Sequence, residues 1–223
     1  MNKEALVSAL TRHRGLCHAG FAVYNYLPFN NRLSKGVKYG LSYFRGCTIR
    51  SFGEDNEIIL GDFSRMIGCT VTIHGSHNRI VLEDFVYCAN TSFCIEDDGN
   101  EIRIGTHCML CGPVELAAIE GTKITLGRDC MLSGHIAMRT GDSHSIVKKG
   151  TRTRVNPSRS ITIGNHVWVG THATVLKGAR IADSCIVGAG SLVTKAFDTP
   201  NCTLAGVPAQ VVKQDIDWIQ ERI

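Results

Sequence analysis

The amino-acid sequence predicts an all-β fold, a solenoid of stacked triangular coils, from three observations. Two sets of aliphatic residues recur every 22 residues, namely Ile58, Ile80, Ile102 and Ile124, and then Leu60, Leu82, Ile104 and Leu126. An asparagine precedes three of these pairs at the same step, at Asn56, Asn78 and Asn100. Beyond residue 160 the aliphatic period shortens to six residues. A fixed period of this kind is typical of solenoids, in which each repeat packs on the next.

The six-residue period defines the shape of one coil. The aliphatic residues that keep it, each with a mostly small residue two positions earlier, are Ile163, Val169, Val175, Ile181, Val187 and Val193. Alternate strand residues point to the same side, so both sets face inward. Three short strands then make an 18-residue coil, and the 22-residue coils carry extra corner residues at 53–56, 75–78, 97–100 and 120–123. A β-sandwich of hairpins is the alternative, but hairpins would not keep one step over so many strands.

The repeat is interrupted once. Leu126 and Ile163 are 37 residues apart, and the excess is predicted to form a polar external loop at about residues 139–158. Long excursions from a regular scaffold are often functional.

The two flanks lack the repeat. We expect residues 1–45 to form a cap, residues 46–213 the solenoid, and residues 214–223 a C-terminal helix. Residues 3–12 are predicted to form a short helix within the cap. The residues expected to face inward from these two helices are Ala5, Leu6, Leu10, Ile216, Trp218 and Ile219. Both flanks would cover open solenoid ends and protect unpaired strand edges.

Composition narrows the function classes. The net charge of +4 is mild, and the basic cluster at 148–154 lacks the interleaved aromatic residues of a nucleic-acid surface. No apolar run reaches the ~18 residues that a membrane span needs. Charges throughout residues 1–14 argue against a signal peptide. We therefore expect a soluble cytoplasmic protein that binds no nucleic acid.

The ten cysteines are interpreted as free thiols in a reducing cytoplasm. Those at strand positions, where buried Cys acts as a small hydrophobe, are Cys69, Cys88, Cys108, Cys130 and Cys185. Cys108 and Cys111 have the CxxC spacing, but without a second ligand pair this is weak evidence for zinc. We expect no metal.

Three segments of the C-terminal half carry a specific pattern. They read ITIGNHVWVGTHA at 161–173, VGAGSLVTK at 187–195 and AGVPAQVVK at 205–213. With them, residues 58–213 resemble the hexapeptide-repeat acyltransferases. The chain is most similar to the sugar and polysaccharide O-acetyltransferases of bacterial envelopes. The polysialic-acid O-acetyltransferases in particular share a catalytic His followed 24 residues later by a functional Trp, as in His144 and Trp168.

The resemblance implies a left-handed parallel β-helix, a homotrimer with active sites between subunits, and acetyl-CoA as the co-substrate. The right-handed crossover rule alone would predict the opposite hand. The implied reaction is O-acetylation of a capsular polysaccharide, a lipopolysaccharide or a related sugar. It would take place in the cytoplasm or beside the glycan-assembly enzymes of the inner membrane.

Acetyl transfer to a hydroxyl needs a base, and neutral imidazole suits this task. His144, in the external loop, matches the family's catalytic His. Asp142 either orients its ring, by the logic of the hydrolase triad, or caps a turn. His135, just before the loop, is either a sugar ligand or a packed core histidine.

Trp168 is too large for a narrow aliphatic core, so we expect it to point outward. It would be a wall for the acetyl-pantetheine or a sugar platform, or else a subunit-interface contact. Lysine ammonium groups would hold the coenzyme phosphates. The family's coenzyme positions fall on Thr171, Gly188, Ala189, Thr194, Lys195, Ala205, Gly206, Pro208 and Lys213. Gln210 stands where relatives often have Arg, which weakens one phosphate contact.

Three rival functions remain open. An N-acetyltransferase acting on an amino sugar would share the fold, the donor and the trimer. A zinc carbonic anhydrase on the same solenoid would need three converging histidines, from His107, His135, His144, His166 and His172. A non-catalytic scaffold is the third, because one fold hosts many functions.

Overall fold

The computed structural model describes residues 3–26, 31 and 36–223. Two helices come first, α1 (Lys3–Arg12) and α2 (Arg14–Tyr26). The strands are β1 (Val37–Tyr39), β2 (Tyr43–Arg45), β3 (Thr48–Phe52), β4 (Glu57–Leu60), β5 (Arg65–Ile67), β6 (Thr70–His74), β7 (Arg79–Leu82), β8 (Tyr87–Glu96), β9 (Glu101–Ile104), β10 (Met109–Ile119), β11 (Lys123–Leu126), β12 (Met131–Leu132), β13 (Ile136–Arg139), β14 (Ile161–Ile163), β15 (Trp168–Val169), β16 (Thr174–Leu176), β17 (Arg180–Ile181), β18 (Ile186–Val187), β19 (Leu192–Val193), β20 (Ala196–Phe197), β21 (Thr203–Gly206) and β22 (Ala209–Lys213).

These strands wrap three faces. Face 1 is an eight-stranded parallel sheet in the order β1-β4-β7-β9-β11-β14-β17-β20. Face 2 runs through β2, β5, β12, β15, β18 and β21, face 3 runs through β3, β6, β13, β16 and β19, and the long strands β8 and β10 belong to both. Among the described strands only the terminal β21–β22 pair is antiparallel. The left-handed parallel β-helix, of about seven turns, is therefore confirmed, and the β-sandwich is wrong.

The aliphatic residues that recur every 22 positions pair with one another on neighbouring strands of face 1. Ile58 pairs with Ile80, Ile80 with Ile102 and Ile102 with Ile124, and all four are at most 1% exposed. Inward residues of successive coils therefore stack into one aliphatic core, as the period of two along each strand requires. The five cysteines predicted to be core residues are buried as well.

An asparagine ladder builds the corner between face 3 and face 1. The main-chain N–H of Asn78 donates to Asn56 Oδ1 (3.0 Å), and that of Asn100 donates to Asn78 Oδ1 (2.8 Å). At Gly75 a Cβ would lie 2.1 Å from the carbonyl oxygen of Asp97 in the next coil. The coils are too close there for any side chain, which explains the glycine.

The N-terminal flank differs in detail from the prediction. α1 forms, but Ala5 and Leu6 are exposed while Leu10 is half-buried. α2 was not predicted. It closes the open end of the solenoid, since the buried side chain of Asn25 binds the carbonyl of Ser42 (3.1 Å) and the N–H of Phe44 (2.9 Å). The solenoid begins with β1, inside the segment expected to be a cap; residues 1, 2, 27–30 and 32–35 of that segment lie outside the described residues.

The predicted C-terminal helix at 214–223 is wrong, because these residues form no regular helix. So short a segment lacks the length to stabilise a helix by itself, and its contacts favour an extended path. Trp218 is 6% exposed and stacks on His166 with ring centroids 4.4 Å apart. Its indole N–H donates to the carbonyl of His166 (2.9 Å). Neither of the helices in the described residues has the length and apolar character of a membrane span.

Candidate functional site

The external loop leaves the solenoid between β13 and β14, at the corner between face 3 and face 1. Its base is closed because the N–H of Arg159 donates to the carbonyl of buried Thr140 (2.9 Å). An antiparallel bridge between Val147 and Arg154 folds the loop back on itself. His144 lies on the outgoing arm and is exposed. The loop is thus an ordered excursion that lifts one imidazole away from the coils.

Asp142 contacts the loop and the solenoid and makes no hydrogen bond to the His144 ring among the described residues. Its carboxylate accepts from Asn156 Nδ2 (2.7 Å) and forms an ion pair with Lys177. The Lys177 ammonium, followed by the Asn156 amide, lowers the pKa of this carboxyl below its usual value. A hydrogen-bonded, paired carboxylate is held in its charged form. Asp142 therefore fastens the loop, which is closer to the turn-fixing alternative than to the ring-orienting one.

Trp168 lies in β15 on face 2 and is partly buried. Its indole N–H donates to the hydroxyl of Ser133 (3.3 Å), one coil away. The ring is tilted by 46° against Trp218, with centroids 6.2 Å apart. The large ring therefore points out of the aliphatic core, and the C-terminal tail covers part of it.

His135 lies at the corner between face 2 and face 3 and is exposed, so the alternative of a packed core histidine is wrong. Its ring stacks on that of His172 at 4.7 Å. Beside this pair, the hydroxyl of Thr171 donates to the carbonyl of Gly134 (2.8 Å).

The predicted coenzyme residues Gly188, Ala189, Ala205 and Gly206 continue the same corner through the next coils. A Cβ at Gly188 would lie 3.2 Å from the Cβ of Ala205, so small residues keep this corner narrow. Ala189 and Gly206 are exposed there. A thin, extended ligand is able to reach the main chain along such an edge.

The predicted phosphate ligands lie farther along the chain. Lys195, at the corner between face 3 and face 1, donates to Gln210 Oε1 (3.2 Å) and has its ammonium 5.3 Å from the centroid of the Phe197 ring. Thr194, the residue before it, is exposed, and so is Pro208 on the turn between β21 and β22. Lys213, at the end of β22, is exposed as well. Gln210, noted as a departure from the family, thus contacts the lysine predicted to bind phosphate.

Within one chain the two halves of the predicted site are apart. His144 belongs to the corner that follows face 3, whereas Thr171 and Ala189 belong to the corner that precedes it. A face of four or five strand residues is roughly 15 Å wide, at about 3.3 Å per residue. The imidazole and the small-residue corner of one chain therefore do not form a single cleft.

Sequence reasoning missed three contacts that shape this region, although it did predict that Trp218 packs on the coils. Lys177 pairs with Asp142, Asn156 is buried at the centre of the loop, and Trp218 covers Trp168. Only Asn156 had a local signal, as a polar residue within a predicted loop. The other contacts join positions 35 and 50 residues apart along the chain.

A second concave surface lies between α1, the C-terminal tail and the corner that joins face 1 to face 2. This groove of about 870 Å³ is lined in part by a stack of rings from successive coils. Phe63 stacks on Phe85 (5.1 Å) and Phe85 on His107 (4.7 Å). None of the predicted site residues lines it. In the described part of the chain no three His, Cys, Asp or Glu side chains gather as metal ligands do.

Comparison with known proteins supports the repeat assignment. The family model for the bacterial transferase hexapeptide (six repeats) matches residues 160–195. The galactoside O-acetyltransferase of Escherichia coli (strain K12) is 48% identical over 54 residues, which are 24% of this chain and 26% of that protein. The polysialic acid O-acetyltransferase of Escherichia coli O1:K1 / APEC is 32% identical over 84 residues, 37% of this chain and 27% of that one. The matches thus span about a quarter of these relatives' length.

Similarity in three dimensions extends further. The polysialic acid O-acetyltransferase OatWY superposes with a TM-score of 0.77 at 26% identity, over 86% of this chain and 88% of that chain. The polySia specific acetyltransferase NeuO superposes with a TM-score of 0.65 at 27% identity, over 79% and 90%.

Proposed function

We propose that this chain, which belongs to the hexapeptide-repeat acyltransferases, is an acetyl-CoA-dependent O-acetyltransferase acting on a hydroxyl of a bacterial surface glycan. Capsular polysaccharide, lipopolysaccharide or a related sugar is the substrate class. The observation that carries the proposal is the ordered loop that holds His144 off the corner of a solenoid similar to OatWY over 86% of the chain. The names of the relatives favour a hydroxyl over an amine as the acceptor.

The chemistry assigned to His144 is general base catalysis. Neutral imidazole takes the proton of the acceptor hydroxyl as its oxygen attacks the thioester carbonyl. The resulting imidazolium then gives that proton to the departing thiolate of coenzyme A, which balances the transfer. Proton transfer of this kind contributes about 10²–10⁴-fold to the rate, and holding both substrates in one cleft contributes more.

The active site is proposed to form between subunits of a homotrimer. The separation of His144 from Thr171 and Ala189 within one chain supports this, because a second copy is needed to bring the two corners together. Closed cyclic symmetry would then repeat the same cleft at every interface. In this arrangement Trp168 forms a cleft wall, His135 contacts the sugar, and the small-residue corner receives the pantetheine. Lys195 and Lys213 contact the phosphates.

A cytoplasmic location is part of the proposal. It is supported by the burial of seven of the ten cysteines as free thiols among the described residues, since such thiols persist where the compartment is reducing. Acetyl-CoA as the donor fits the same compartment.

The test is release of free coenzyme A from acetyl-CoA with a panel of bacterial glycans. Each acceptor is supplied in matched forms with and without a free amine. Release that depends on a glycan without an amine is the expected result. Release only with amine-bearing acceptors would replace the proposal by N-acetylation, and no release with any glycan would refute it.

A further inference from the structure

We infer that Asn156 is the positioning residue of this site, fixing the main chain on both sides of His144 so that the imidazole is presented in one direction. The inference rests on the proposed function, in which His144 is the base. Asn156 would act through the loop, because the hydrogen bonds of its side chain go to other atoms of the loop and not to the imidazole ring of His144.

The contacts of the Asn156 amide surround His144 in sequence. Its Nδ2 donates to the carbonyl oxygen of His144 (2.8 Å) and to Asp142 Oδ2 (2.7 Å). Its Oδ1 accepts from the N–H of Ile146 (2.7 Å). One side chain therefore ties three alternate residues, of which His144 is the middle one. Asn156 is only 6% exposed, whereas Val155 beside it is 48% exposed.

Asn156 is itself held by the coils on either side of the loop. Its carbonyl oxygen accepts from Lys177 Nζ (3.3 Å) and Arg154 Nη2 (3.2 Å). Arg154 forms an ion pair with Glu120 (2.7 Å). Lys177 belongs to the coil after the loop and Glu120 to the coil before it. The centre of the loop is thus attached to the solenoid on two sides.

The expected effect follows from geometry. Without the amide, the carbonyl of His144 and the N–H of Ile146 lose their protein partner, and the outgoing arm is free to shift. A displacement of about 1 Å at a reacting group can cost about 10²-fold in rate. Coenzyme contacts lie on other elements, so the Michaelis constant for acetyl-CoA should not change.

Asn78→Ala is a matched control for Asn156→Ala. Asn78 is 0% exposed, and its amide also binds main-chain groups, the carbonyl of Asp97 (3.0 Å) and the N–H of Asn100 (2.8 Å). It lies at the same corner of the solenoid as the loop, but three coils earlier. We expect Asn156→Ala to lower kcat by about 10–100-fold with Tm nearly unchanged, and Asn78→Ala to lower Tm with kcat nearly unchanged.

A third variant separates the donor role of the Asn156 amide nitrogen from the acceptor role of its amide oxygen. Asn156→Asp keeps an acceptor for Ile146 but places a carboxylate against Asp142 and the carbonyl of His144. It should lower kcat as strongly as Asn156→Ala does.

In a double-mutant cycle, adding Asn156→Ala to His144→Ala should lower kcat no further, because the effects of residues that act through one another are not additive. Additive losses would overturn the inference.

Hydrogen exchange of the Ile146 amide gives a readout that needs no activity. It should accelerate at least about tenfold in Asn156→Ala and stay at the wild-type rate in Asn78→Ala. An unchanged Ile146 rate in Asn156→Ala overturns the inference even in an active enzyme. Absence of acetyl transfer by the wild-type protein, with the exchange difference intact, would instead overturn the proposed function and with it the catalytic meaning of the contact.

Discussion

Leu126 and Ile163 are parallel neighbours on face 1 although 37 residues separate them. The N–H of Gly127 donates to the carbonyl of Ile163 (2.9 Å), so the ladder continues as if the loop were absent. The excursion that carries His144 is therefore an addition to an uninterrupted scaffold. Changes inside it should alter activity without dismantling the coils.

His144→Ala should lower kcat by at least about 10²-fold, because the acceptor hydroxyl loses its base. Coenzyme affinity should change little, since the coenzyme residues lie on other elements. Steady-state kinetics with a glycan acceptor measure both quantities. His77→Ala is the control, since the His77 side chain is exposed at a corner of the solenoid and, among the described residues, its ring pairs with Asp55 at 3.6 Å. Near-normal turnover of His144→Ala would refute its assignment as the base.

Lys195→Ala should raise the Michaelis constant for acetyl-CoA about tenfold, the loss expected for one charge-assisted phosphate contact. The turnover number should fall much less, because the reacting atoms are untouched. Lys38→Ala is the control, since Lys38 is ion-paired with Glu57 near the far end of the solenoid. If both variants keep the wild-type constant, Lys195 does not contact the coenzyme.

Ile124→Ala should lower the free energy of unfolding by about 2–5 kcal/mol, the range for a cavity at a fully buried aliphatic position. Ile124 is 0% exposed, and its neighbour Thr125 lies on the outer side of the same strand. Thr125→Ala should therefore cost less than about 1 kcal/mol. Denaturant titration of both variants compares the two sides of face 1, and equal losses would contradict the inward ladder.

The external loop should loosen in acid. Because Lys177 and Asn156 depress the pKa of Asp142, ionisation of this carboxyl stabilises the loop above the ordinary aspartate value of 3.8. That contribution is lost as the pH falls through the depressed value. The methyl NMR signal of Ile146 should show a step below about pH 4. Asp142→Asn should lack this acid step, and an identical acid step in that variant would assign it to another group.

Much of the fold could be predicted because it repeats. The step of 22 residues from Ile58 to Ile124 forces inward positions into register, and the 37-residue gap before Ile163 locates the loop. The hand of the solenoid required the family resemblance, because side-chain spacing is the same in both hands.

The flanks and the interior of the loop could not be predicted in the same way. α2 contains two glycines, which disfavour a helix locally, and it is stabilised by contacts such as that of Asn25 with the first coil. Trp218 is held extended by His166, 52 residues away. The contact of Asn156 with His144 depends on how the loop folds back, and the loop has no sequence repeat from which that path could be predicted.

Subunit complementation tests most directly whether His144 of one copy serves the coenzyme corner of another. His144→Ala and Ala189→Trp, the latter blocking the narrow corner beside Gly188, are each expected to be inactive alone. Co-expressed at equal amounts, they should form mixed oligomers in which about a quarter of the sites combine two intact halves, as random assembly of a cyclic oligomer requires. Glycan-dependent release of coenzyme A at that level is the predicted result. Mixed oligomers that are proven by mass spectrometry yet remain inactive would contradict the shared site.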